Sequence, residues 1–339
     1  MPPSHASSST SSSILSGYFK FAIAPILFPL FLGVFSNIIK PSFPVPAPGA
    51  AVVITGSSTG IGRHAAAELA ADGFLVFAGV RNLSDVDGLV KSYPGRVVPL
   101  LLDVTDTEGG VTRAAEEVER VLRERGGNIP LAGLVNNAGI GVALPLELIS
   151  LDRFRQVMEV NVVGVLAVSQ AFIPRLRRDQ GRIINVGSAA GFTVPPGYGA
   201  YSSSKFALEA VSDAFRLELR PWNISVSLLE PGTVESEIRR KNLGDGVPFK
   251  DLPEKAYALY RHMFDTYEAR VTALDRNAGS AQLTTDAIVH ALTSATPQSR
   301  YIIGKYQGLS LSAFRIFVMP FLPDHVQDWG KIKSLQKAL

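Results

Sequence analysis

Short apolar runs alternate with longer segments of helical period along most of the chain. From Ala51 the runs are AVVIT, FLVFAGV, VVPLLLDV, LAGLVNNAG, RIINVGS and ISVSLLEPG, which predict strands. Between them apolar positions recur every three to four residues, which predicts helices over about residues 63–72, 85–92, 107–125, 152–177 and 201–221. Runs apolar on both faces, each followed by a helix, are the pattern of a parallel sheet buried on both sides. The expected architecture is therefore α/β, a doubly wound parallel sheet, with one more short strand at residues 301–303.

Both flanks depart from this alternation. Residues 1–20 form a Ser-rich tail, too polar and monotonous to pack. Residues 21–40 are expected to be a membrane anchor: the run FAIAPILFPLFLGVFSNII between Lys20 and Lys40 is uncharged. As a helix it would span about 28 Å, close to the roughly 30 Å of a bilayer core. Pro25 and Pro29 would kink that helix, or turn it into a hairpin within one leaflet. The alternatives are a cleaved signal peptide and a buried core helix. Residues 41–48 (PSFPVPAP) read as an extended spacer.

The catalytic domain is expected over residues 49–305. Within it, residues 244–295 read as helical segments beside the substrate, with Tyr257, Tyr260, Phe264 and Tyr267 at the spacing of a packed helix face. Residues 306–339 form an apolar extension whose stretch LSLSAFRIFVMPFLP either pads the sheet or lies on a membrane surface.

Composition narrows the function classes. With 46% hydrophobic and 19% charged residues the chain can bury a large core, and its net charge of +3 is too small for a nucleic-acid footprint. There is no cysteine, and the five histidines are scattered without a metal-ligand pair, so neither thiolate chemistry nor a metal is expected. The first acidic residue is Glu68, so tail, anchor and spacer are all acid-free.

Three groups carry candidate chemistry. TGSSTGIG at residues 55–62 joins a predicted strand to a predicted helix, where glycines admit a pyrophosphate and the helix N-terminus offers unpaired N–H groups. The plainer alternative is a tight turn. Tyr201 and Lys205 stand four apart, so both lie on one helix face, and an ammonium beside a phenol favours the phenolate. Alone, such a pair is usually an ordinary surface pair. Ser188, just after RIINV, falls at the sheet's carboxyl edge, where such folds bind ligands.

In their order, these motifs together with Asp103 in LLDVT, Asn136-Asn137-Ala138-Gly139, Asn161 in VNVVG and Pro231-Gly232 resemble the classical short-chain dehydrogenase/reductase family. The resemblance implies a Rossmann-type fold in a single catalytic domain. It implies that Tyr201 exchanges the substrate proton, that Ser188 holds the substrate oxygen, that Lys205 binds the nicotinamide ribose and that Asn161 holds a water on the proton path. It places the cofactor against Thr55, Gly56, Ser58, Gly60, Ile61, Gly62, Arg81, Asp103, Val104, Asn137, Ala138, Gly139, Tyr201, Lys205, Pro231, Gly232, Val234 and Ser236. Ser236 stands where the family often has Thr, which keeps the hydroxyl.

At the end of the second strand Val80 is followed by Arg81 rather than by an acid, so NADP(H) is favoured over NAD(H). The wording of VFAGVRN, LVNNAGI and MPFLPDHVQDW looks most like the branch with retinol, 17β-hydroxysteroid and 3-hydroxybutyrate dehydrogenases. That implies a lipophilic alcohol or ketone as substrate, with a small hydroxy acid as the alternative and a non-catalytic nucleotide sensor as the rival class. A membrane location is expected, the endoplasmic reticulum ahead of mitochondria, and a homodimer is allowed. A glycan at the Asn82-Leu83-Ser84 acceptor would crowd Arg81, which favours a cytosolic catalytic domain.

Overall fold

The computed structural model describes residues 40–234, 249, 252–267, 269, 271–272, 278–306 and 309–336. The tail, the anchor up to Ile39 and Ser236 lie outside the described residues. The chain divides into two units, residues 1–42 and 43–339, and the second contains the whole sheet.

Seven parallel strands form that sheet: β1 (Ala51–Thr55), β2 (Leu75–Val80), β3 (Val97–Leu101), β4 (Leu131–Asn136), β5 (Arg182–Val186), β6 (Ser225–Pro231) and β7 (Arg300–Ile303). Their spatial order is β3-β2-β1-β4-β5-β6-β7. The order reverses between β1 and β4, which opens a crevice at the carboxyl edge where ligands of such sheets bind. Strands β1, β2, β4, β5 and β6 are buried along their whole length, which explains why they read as continuous apolar runs instead of alternating.

Helices α1 (Gly60–Ala71) and α2 (Asp87–Ser92) cover one face, and α3 (Gly110–Glu124) covers the other. That second face also carries one long run, residues 151–179, made of α4 (Leu151–Met158), a π-turn (Glu159–Val163) and α5 (Gly164–Asp179), followed by α6 (Gly199–Glu218). Among the described residues the 151–179 run alone is long and apolar enough to cross a bilayer. Its Val157, Val165, Val168, Phe172 and Leu176 are buried, and Val168, Phe172 and Leu176 pack in the core against this face of the sheet, so its apolar stripe serves the core.

The 244–295 segment does not act as one substrate-side unit. α7 (Glu254–Leu259) and α8 (Arg261–Asp265) stay near the carboxyl edge, but α9 (Ala281–Thr293) belongs to the sheet. Its Ile288, Ala291 and Leu292 are fully buried beside α1. Apolar periodicity shows that a helix has a buried face but not which surface covers it. The C-terminal extension then forms β8 (Lys305–Tyr306), β9 (Leu309–Ser310), α10 (Leu311–Ala313), a π-turn (Phe314–Val318) and α11 (Asp324–Gln336). Part of it pads the sheet, because Leu311 is buried against Gly232, while Phe317 is 71% exposed.

Candidate active site

The turn after β1 is held open by its glycines. Gly56 and Gly60 take φ of 69° and 57°, left-handed values that suit glycine. A Cβ on Gly56 would lie 2.9 Å from Ala138 Cα, and one on Gly62 would run into Asn137 Nδ2 and the Gly56 carbonyl. Strand β4 is pinned to the turn from below: the Asn137 and Ala138 amides donate to Thr55 Oγ1 at 3.0 and 2.9 Å, and Asn137 Nδ2 donates to the Thr55 carbonyl at 3.0 Å. Thr59 makes no side-chain cap on α1, and no acidic residue stands in its first turn. The helix therefore presents its first amides and its positive dipole end to the crevice, and a phosphate fits that cradle.

On the other side of the crevice, Lys205 is buried in α6. Its ammonium donates to the Val186 carbonyl at 2.9 Å and lies 5.7 Å from the Tyr201 ring centroid. Burial pushes the Lys205 ammonium down to about 8. Ser188 and Tyr201 are half-buried, and the Ser188 hydroxyl accepts the Ala190 amide at 3.1 Å, which orients it two residues beyond β5. Asn161 is buried in the π-turn, where Ile140 N donates to its Oδ1 at 2.9 Å and its Nδ2 donates to Ile140 O at 2.8 Å.

Asn161 Nδ2 also donates to Ser204 Oγ at 2.9 Å, and Ser204 donates to the Tyr201 carbonyl at 2.7 Å. Ser204 thus ties the Asn161 turn to the Tyr201 turn, a role the sequence did not show because a serine inside YSSSK has no distinguishing neighbour. The π-turn was equally hidden, since no residue pattern in VNVVG marks the extra residue that it inserts into the helix. A Cβ placed on Gly139 would lie 3.3 Å from Asn161 Oδ1 and 3.9 Å from Lys205 Nζ, which brings those three positions to one spot.

The remaining expected residues that are among those described lie along the same edge. Asp103 Oδ1 accepts the Thr105 amide at 3.0 Å, and Val104 is buried against Gly164. Arg81 is exposed at the end of β2, whereas Arg63 is occupied by the Asp85 carbonyl at 3.0 Å. Pro231 ends β6, the Gly232 amide donates to Ile303 O at 2.8 Å, and Val234 bridges to Gly279. Ser58 and Ile61 sit half-buried in the glycine-rich turn.

An apolar cluster joins Val142, Ala143 and Leu144 to Ala200, the residue before Tyr201, and to Phe249, Phe264 and Tyr267. Phe249 and Phe264 stack at 4.3 Å, and Tyr260 donates to Glu147 at 2.5 Å, fastening α8 to the loop after β4. No cluster of metal-ligating side chains exists among the described residues.

The short chain dehydrogenase family model matches residues 50–245. NADPH-dependent 3-dehydrocapnine reductase of Ornithobacterium rhinotracheale is 31% identical over 84% of this chain and 97% of its own. Retinol dehydrogenase 7 of Rattus norvegicus is 34% identical, covering 83% and 89%, and mitochondrial D-beta-hydroxybutyrate dehydrogenase of Mus musculus is 35% identical, covering 75% and 77%. Among solved structures, a short-chain dehydrogenase from Burkholderia cenocepacia in complex with NADP aligns with TM-score 0.56 and 26% identity over 76% of this chain and 89% of its own. One from Streptomyces avermitilis reaches 0.63 at 26% identity, covering 85% and 98%. A glycine-lined phosphate cradle and a buried lysine beside a tyrosine, on one edge of a seven-stranded parallel sheet, thus agree with these likenesses, and the chain belongs to the classical short-chain dehydrogenase/reductase family of oxidoreductases.

Proposed function

We propose that this oxidoreductase interconverts a lipophilic alcohol with its ketone or aldehyde, using NADP(H) in preference to NAD(H). The observation that carries this reading is the buried Lys205 ammonium 5.7 Å from the Tyr201 ring, with an aromatic-rich apolar cluster reaching the adjoining Ala200. When bound, the nicotinamide supplies or accepts the hydride. Tyr201 donates a proton to the substrate oxygen in reduction and removes one in oxidation, and the Lys205 cation stabilises negative charge left on the phenol oxygen. Ser188 donates a hydrogen bond to the same substrate oxygen. Asn161, locked by Ile140 and Ser204, orients the water through which Tyr201 is reprotonated. The Thr55-to-Gly62 turn, Asn137, Ala138 and Gly139 hold the dinucleotide, with Asp103 and Val104 at the adenine, Val234 at the carboxamide, and Pro231, Gly232 and Ser236 also assigned to the cofactor.

Exposed Arg81 supports the phosphorylated cofactor, because it offers a cation where an acid would repel a 2′-phosphate. The anchor of residues 21–40 supports a membrane location, at the endoplasmic reticulum ahead of mitochondria, with substrate drawn from lipid. The likeness to hydroxybutyrate dehydrogenase supports a second reading, a small hydroxy acid.

Turnover of retinoids, steroids and short hydroxy acids under both cofactors tests these readings. Activity on a lipophilic alcohol with NADPH bound more tightly than NADH is expected. Preference for a short hydroxy acid favours the second reading, preference for NADH removes the cofactor assignment, and no turnover on any member favours a nucleotide sensor.

A further inference from the structure

A cluster of charges lies directly behind the site. Glu209 follows Tyr201 and Lys205 at four-residue steps on the same stripe of α6, so it sits one turn beyond Lys205. Glu230, just before Pro231-Gly232, is fully buried. Glu209 Oε1 and Glu230 Oε2 are both buried, and the Glu209 carboxyl faces that of Glu230. Burial first, and then the Glu209 carboxyl, push Glu230 up to about 8, so Glu230 holds its proton at neutral pH.

Into this acid pair reaches Arg315 from the C-terminal extension. It bonds Glu230, stands 3.6 Å from Glu209, and lies over the Phe192 ring with its guanidinium carbon 4.5 Å from the centroid. Phe192 opens the loop that follows Ser188 on the substrate side, and Gly191 in the same loop sits against Glu209, 3.0 Å from where its Cβ would be. Leu311 on Gly232 and Ser312 Oγ on the Ile302 carbonyl, at 3.1 Å, dock the same segment from its other end. One guanidinium therefore touches the catalytic helix, the strand leading to Pro231-Gly232, and the loop after Ser188.

We propose that Arg315 is a positioning residue that fixes Phe192 as one wall of the substrate cleft, a role that rests on the oxidoreductase reading above. Planar guanidinium suits it because a single group forks to two carboxyls and stacks on a ring. The C-terminal extension is on this account a working part of the cleft, and substrate selectivity is set partly by a residue far from the motif set.

The test compares the full-length protein with Arg315→Met and with Arg315→Met/Glu230→Gln, the second variant replacing by a neutral amide the buried carboxyl that the first leaves without its partner. Two measurements are made: steady-state kinetics with a cofactor titration, and hydrogen exchange of the backbone amides at residues 189–193. Expected in both variants are a KM for the alcohol or ketone raised threefold or more, a kcat changed less than KM, a cofactor Kd within threefold of the parent, and faster exchange at 189–193. A KM within threefold of the parent, a KM restored by adding Glu230→Gln, a cofactor Kd shifted as much as KM, or unchanged exchange at 189–193 each overturns the proposal. A parent protein that turns over no alcohol or ketone defeats the oxidoreductase reading instead, and the exchange measurement still decides whether Arg315 holds the loop.

Discussion

Each edge of the sheet buries a cation, and the two are held differently. At the carboxyl edge Lys205 has a single backbone carbonyl, that of Val186, as its hydrogen-bond acceptor among the described residues. At the amino edge Arg182, the first residue of β5, sends Nη1 to the Ala291 and Ser294 carbonyls, each at 2.7 Å, and Nη2 to the Pro44 carbonyl at 2.6 Å. Burial lowers both to a similar extent, Lys205 to about 8 and Arg182 to about 10. Three acceptors spend the guanidinium on structure: it ties the proline-rich segment to the loop after α9, where Phe43 N also donates to Ala295 O at 2.8 Å. One acceptor leaves an ammonium with donors to spare. A buried charge thus becomes chemistry where its surroundings leave it incompletely bonded.

Tyr201→Phe should break the carboxyl edge most severely. Turnover should fall by about 10²–10⁴-fold, the usual share of a general acid or base, while cofactor titration shows near-parent affinity. Retained turnover would show that the proton moves by another route.

The opposite edge should answer in stability alone. Arg182→Met leaves the Pro44, Ala291 and Ser294 carbonyls without their donor. A loss of about 3 kcal/mol is expected from buried unsatisfied acceptors, read by urea unfolding, with kcat and KM unchanged. A kinetic defect would mean that the two edges are coupled.

Gly62→Ala sharpens the comparison from the cofactor side. Its methyl would collide with Asn137 Nδ2 and the Gly56 carbonyl, so cofactor Kd should rise by about tenfold, equivalent to about 1.4 kcal/mol. Unchanged affinity would show that the turn yields without disturbing the phosphate cradle.

The pH dependence of stability separates the two kinds of buried group, which have opposite signs. Glu230 keeps its proton in the folded chain up to about 8, against an ordinary 4.5, so the folded state binds more protons in that window and stability falls as pH rises through it. Lys205 releases its proton near 8 when folded but at 10.5 when unfolded, so stability rises with pH across that second window. Urea unfolding between pH 5 and 10 should show Glu230→Gln flattening the fall and Lys205→Met flattening the rise. A parent-like slope in either variant would remove that group as its source.

How much of this was legible depended on whether a feature is local in the chain. The glycine-rich turn was legible because left-handed φ and close backbone approach require glycine at fixed places, here Gly56, Gly60 and Gly62. Tyr201 and Lys205 were legible because four residues make nearly one helical turn. By contrast, α9 read as a substrate-side segment although Ile288 and Leu292 lie in the sheet core, since a stripe of apolar residues carries no address. Ser204, Arg182 and Arg315 carried no signal, because their partners lie in other elements or are backbone carbonyls that no sequence pattern marks.

By itself the sequence determined the alternating parallel architecture, the uncharged run ahead of the domain, and the local geometry of the phosphate turn and the Tyr201–Lys205 stripe. Only the tertiary structure decided that Lys205 is left with one acceptor and Arg182 with three, and that Arg315 closes over the Glu209–Glu230 pair. The reason is physical: backbone conformation and helical facing are set by neighbours in the chain, whereas desolvation and charge pairing depend on which distant segments arrive around a group.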